Sequence, residues 1–208
     1  MQQTVGREKA KRNIVLFIIG VFIGFIASTL AAVGLITVNP VLALLGALGL
    51  FGLILQIIAI ICLRNVNSHY ANALWCLIFD LILNLVMLII DIIVFFQEGG
   101  NATLSNVSSW LDVASNVAEA GIVVYFVLGT NQLAEENGKG MPLLTRIIVV
   151  GYMVIFVLSL AFSLLQLIPA IGENQVVVSV FSIIGLVLYV VRELAYIIFL
   201  IRALFRVK

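Results

Sequence analysis

Asp80, Asn84 and Asp91 recur at steps of four and seven residues, so one side of a helix carries all three. Tyr189, Arg192, Glu193 and Tyr196 make a second stripe at helical spacing. Asp112, Asn116 and Glu119 make a third, Ser159, Ser163 and Gln166 a fourth, and Gln56 stands alone in an apolar run. Carboxylates, amides and an arginine in this pattern can bind a cation, relay a proton, or tie helices together by pairing with one another. The chemistry of hydrolases and metalloenzymes needs other partners. His69 is the one histidine and lies in a short polar break, which removes a His-based metal site and a Ser–His dyad. No H-E-x-x-H, G-x-S-x-G, phosphate-loop or dinucleotide pattern occurs. Glu135-Glu136 reads as a charged helix end, since no histidine or second acid pair follows at metal-ligand spacing. The expectation is a protein without catalytic residues, cofactor or metal.

The background against which these polar residues stand decides how they are read. Hydrophobic residues form 63% of the 208-residue chain, charged residues 10%, and the mean hydropathy is +1.26. A soluble domain carries about 25% charged residues. With so little charge the chain cannot clothe a water-facing surface, and its apolar side chains must face lipid. A net charge of +1 gives no reason to expect a nucleic-acid partner.

Six apolar stretches, approximately 13–38, 41–63, 71–96, 112–133, 143–168 and 177–205, are each long enough to cross a bilayer as a helix. None alternates as a barrel strand does. Asn39-Pro40 breaks the first pair, because proline lacks an N–H and disfavours helix in its predecessor. Short polar runs at 64–70, 97–101, 135–142 and 169–174 make the other breaks. The expected fold is therefore all-α, a single polytopic bundle of about six spans over residues 1–208.

Basic residues set the direction. Arg7, Lys9, Lys11, Arg12, Arg64, Lys139, Arg146, Arg202, Arg206 and Lys208 all fall on one set of alternate loops and ends, and the eleventh cation is Arg192. The opposite loops hold only Glu98, Asp112 and Glu173. Lys and Arg favour the cytoplasmic side, so both termini are expected inside, in the cell membrane. Trp75 and Trp110 fall at expected interfaces, where an amphipathic ring is favoured. The basic front of the first span resembles a secretory signal, but its apolar run is too long for one and continues into another span. Asn101-Ala102-Thr103 and Asn106-Val107-Ser108 match the glycosylation triplet, yet both hug the membrane.

Helical rise then assigns depths. Asp80 and Arg192 fall a little to the cytoplasmic side of the bilayer middle, with Gln56 near their level. Asp91, Asn116, Glu119, Ser163 and Gln166 fall towards the outside. A charge at the centre costs at least about 2.5–3.5 kcal/mol on the insertion scale, so Arg192 needs a counter-ion. Asp80 is the expected partner, with Glu193 competing. The candidate intramembrane polar site comprises Asp80, Asn84, Asp91, Glu119, Arg192 and Glu193. Its four acids against one arginine imply either protonated carboxyls or access for water and cations.

Small residues point to close packing. Gly20 and Gly24 in the first span and Gly46, Gly49 and Gly52 in the second suit a tight hairpin of these two spans, or a face for a protein partner or a second copy. Cys62 and Cys76 are expected to pack as small hydrophobes. Two functional readings follow. The first is a non-enzymatic accessory or scaffold-type membrane component. The alternative is a small transporter or channel-type protein moving protons, cations or a small solute between spans three, four and six.

Overall fold

In a computed structural model the chain is described over residues 2–36, 41, 46–96, 102–136, 138–166 and 175–207. Helix α1 spans Gln2–Ile36, α2 Gly49–Leu63 after a 3-10 turn at Gly46–Leu48, α3 Ser68–Phe96, α4 Ala102–Glu135, α5 Pro142–Gln166 and α6 Gln175–Leu204. Among the described residues there is no strand. Lipid offers the backbone no hydrogen-bond partner, and a helix satisfies its own N–H and C=O groups. The segments Glu8–Ala31, Ser68–Val94, Val107–Glu135 and Ser179–Leu204 are long and apolar enough to cross a membrane. Gly49–Leu63 and Pro142–Leu158 are shorter apolar helices.

Helix bounds depart from the sequence expectation at two informative places. The fourth helix begins at Ala102, about ten residues earlier than expected, so Leu104 to Leu111 are helix and not loop. Its serines and threonine favour a helix start or an exposed face as readily as a turn. In the second stretch a 3-10 turn at Gly46–Leu48 precedes the α-helix Gly49–Leu63, and glycines at 46, 49 and 52 each lower α-helix propensity there. The expected breaks at 39–40, 97–101 and 169–174, and the side chains of Asn106, Ser159, Ser163 and Gln166, lie outside the described residues.

Each helix buries one stripe. In α1 it runs Ala10, Ile14, Phe17, Val21 and in α3 Tyr70, Ala73, Leu77, both at alternating steps of three and four. Phe17 of α1 stacks on Phe126 of α4 with centroids 3.6 Å apart, and Tyr70 meets Phe126 edge-on at 5.2 Å. The opposite faces are apolar and exposed, as with Phe79, Ile82, Leu85, Ile89 and Ile93 of α3. Such a continuous apolar surface is unsustainable in water and natural against acyl chains. Trp75 and Trp110 lie on this outer surface. Cys62 and Cys76 are free thiols, and Cys76 Sγ packs against Gly121 of α4.

The most extensive contacts join α3 to α4 and α1 to α2. A Cβ placed on Gly20 would stand 2.6 Å from the Gly52 carbonyl oxygen, and one on Gly52 2.5 Å from that of Gly20. Gly24 also touches this crossing, and a Cβ on Gly49 would rest 3.5 Å from Ala27. Gly20, Gly24 and Gly52 therefore close a hairpin within the chain, the first of the two arrangements expected from the glycine spacing. Gly46 lies in the 3-10 turn, not on that crossing helix. At the α4–α5 corner, Asn131 Oδ1 accepts the Met141 N–H at 2.8 Å and Asn131 Nδ2 donates to Glu135 at 2.7 Å. Gly138 turns the chain there with φ +67°, a backbone region that suits glycine.

Candidate functional site

Past Leu77 the same steps of three and four lead along α3 to the half-buried Asp80 and the exposed Asn84, which brings polar residues to the edge of an apolar packing face. In α4 the stripe runs Ser115, Glu119, Ile122, Val123 and Phe126, and in α6 Tyr189, Glu193 and Tyr196. These three stripes meet α1 and α2 around a cavity of about 210 Å³. Phe17, Val21, Gly24, Phe25 and Ser28 of α1 line it, with Leu53 and Gln56 of α2, Leu77 and Asp80 of α3, Glu119, Ile122 and Val123 of α4, and Tyr189, Glu193 and Tyr196 of α6. One water needs about 10–15 Å³ of such space, so there is room for several waters or a small solute.

Arg192 sits behind the cavity wall and organises its acids. Its Nη2 lies 3.0 Å from Glu119 Oε1 and 3.0 Å from Glu193 Oε1, and its Nε donates to the same Glu193 oxygen at 3.0 Å. The guanidinium also lies over the rings of Tyr152, at 4.9 Å, and Tyr189, at 5.2 Å, where the ring quadrupole attracts a cation. The Arg192 side chain is 7% exposed and that of Glu193 9%, whereas Glu119 keeps 43%. Glu119 thus lines the cavity with part of its side chain open while its Oε1 is bonded to Arg192.

Asp80 does not pair with Arg192, which corrects the expected ion pair. Its Oδ1 accepts from Ser115 Oγ of α4 and, at 3.0 Å, from Asn84 Nδ2. Asn84 Nδ2 also reaches Ser115 Oγ at 3.0 Å and the Asp80 carbonyl at 2.9 Å. The early start of α4 explains the exchange of partners. It moves the helix midpoint about four residues towards the N-terminus, close to Glu119, which raises that carboxylate by about 6 Å into the Arg192 layer.

The structure brings Asp80, Glu119, Arg192 and Glu193 together, with Asn84 acting through Asp80. Asp91 stands apart: it is exposed and accepts a bond from Ser108 of α4 at 3.1 Å. Asn116 turns back to Asp112, its Nδ2 donating to the Asp112 carbonyl at 2.8 Å. Sequence reasoning missed Ser115, Ser28 and Tyr152. Ser115 was findable, lying four residues before Glu119 on one face. Tyr152 was not, because it is an isolated aromatic in an apolar helix.

A second polar cluster lies nearby and is fully used in packing. Thr130 Oγ1 donates to the Phe126 carbonyl at 2.8 Å, so the Tyr70 hydroxyl is the donor in their 3.0 Å contact. Asn67 Nδ2 donates to the Gly129 carbonyl at 3.0 Å. By contrast, the hydroxyls of Tyr152 and Tyr196, which are 4% and 2% exposed, have no hydrogen-bond partner among the described residues. Among the described residues no three His, Cys, Asp or Glu side chains converge closely enough to hold a metal ion. Comparison of the chain with protein-family models, curated proteins and solved structures gives no match.

Proposed function

We propose that this membrane protein crosses the cell membrane six times with both termini in the cytoplasm, and that it moves a small cation, the proton included, through its central cavity. The observation that carries this reading is the charge balance at that cavity. Asp80, Glu119 and Glu193 line it, and among the described residues Arg192 alone is paired with any of them. Carboxylates in a low-dielectric interior are costly unless a cation or water reaches them. A route for water and a counter-ion resolves that cost, and the accessible Glu119 is suited to exchange one.

The second reading, a non-enzymatic accessory or scaffold component, draws on the same residues as glue. The bonds from Arg192 to Glu119 and from Ser115 to Asp80 cross between helices and would hold a bundle together. Flux separates the two. The purified protein is placed in liposomes that hold a pH-sensitive dye, and a potassium-diffusion potential is imposed. The transport reading expects proton entry in the parent, its loss in Asp80→Asn or Glu119→Gln, and parental rates in Asp91→Asn. Folded protein that passes neither protons nor small organic cations would overturn transport and leave the accessory reading.

A further inference from the structure

We propose that the ligand of the central cavity is a protonated primary amine with a short apolar body. This inference rests on the cavity being a binding site for cations and adds the chemical class. Two features of the walls select it. The first is charge of one sign spread over three helices: Asp80, Glu119 and Glu193 on α3, α4 and α6. The carboxylates are too dispersed for a bare metal ion among the described residues. An ammonium group with three N–H donors can bond to an acid and to a neighbouring neutral acceptor at once.

The second feature is the aromatic and aliphatic wall. Phe17, Phe25, Tyr189 and Tyr196 offer ring faces and edges, with Phe25 and Tyr189 stacked at 6.3 Å. Aromatic faces attract a cation, and the same side chains bury its alkyl or aryl body. The protein already treats one of its own cations this way. Arg192 is held by two carboxylates and covered by two tyrosine rings.

The test uses the full chain in nanodiscs of zwitterionic lipid and calorimetric titration with four probes: n-butylammonium, tetramethylammonium, potassium and n-butanol. Binding is expected for n-butylammonium and at least about tenfold weaker for the others, each of which lacks the N–H donors, the apolar body or the charge. Glu119→Gln and Asp80→Asn should weaken it by roughly ten- to a hundredfold, the fold-change of one charge-assisted hydrogen bond. Equal binding of n-butanol or tetramethylammonium would overturn the proposal. So would undiminished binding of n-butylammonium in both variants. Proton flux in liposomes without amine binding would overturn the amine and leave transport standing. Amine binding without any flux would uphold the amine and overturn transport.

Discussion

Arg192 is held more firmly than either of its acids. It has two carboxylate partners and two aromatic faces, whereas Glu119 is partly open to the cavity. Arg192→Gln therefore leaves Glu119 and Glu193 side by side without a cation. Breaking a buried pair by removing one partner costs about 3–5 kcal/mol. The openness of Glu119 puts the expected loss at the lower end, about 3 kcal/mol. It is read as a lowered unfolding midpoint in detergent. The tyrosines sort in the same assay. Tyr70→Phe removes a bond to Thr130 and should cost about 1 kcal/mol. Tyr196→Phe removes a hydroxyl with no partner and should leave the ligand-free midpoint within about 0.5 kcal/mol of the parent.

At the scale of helices, the α1–α2 hairpin depends on missing side chains. Gly52→Leu would drive a branched chain into the Gly20 backbone and force the helices apart. The expected loss is about 1–3 kcal/mol or more. Gly185→Ala, with nothing within 4 Å of its added methyl, is the control and should be neutral or slightly stabilising. Comparing the two midpoints separates backbone contact from a general effect of glycine replacement. The same scale explains what the sequence disclosed. All-helical architecture, lipid-facing surfaces and the glycine hairpin were legible because composition and small-residue spacing are local properties. Glu119 as partner of Arg192 was not. Depth along a helix requires its true start, and the polar run before Asp112 reads equally well as loop or helix. Asp91, expected in an outer layer with Glu119, lies apart from it for the same reason: Glu119 joins Arg192, and Asp91 is bonded by Ser108 of α4.

For the molecule as a whole, sidedness is the property that residues and helices do not supply by themselves. The proposed topology rests on ten cations gathered on alternate loops and ends. In a background with Cys62→Ser and Cys76→Ala, single cysteines at Asn65→Cys and Lys139→Cys should react with an impermeant maleimide only after the membrane is opened. Asn101→Cys should react in intact cells. Labelling of Asn65→Cys from outside would invert the bundle, and labelling of Asn65→Cys and Lys139→Cys from opposite sides would make the number of crossings between them odd.

Arg192 and Glu193 are neighbours in the chain as well as partners in space, joined by a 3.0 Å bond within one helix. That adjacency bears on biogenesis. Helix α6 follows the other five in the chain and must leave the insertion machinery carrying both charges, before Glu119 is within reach. A cation and an anion one residue apart can neutralise each other during that passage, so the segment partitions as a nearly neutral dipole and exchanges part of its pairing for Glu119 only on docking. Composition alone would not achieve this. Interchanging the two positions, Leu186→Glu with Glu193→Leu, keeps every residue but separates the charges by six positions. In a glycosylation-reporter assay the interchanged helix should insert less efficiently than the natural one. Assembly of this bundle would then begin with a contact written into consecutive codons.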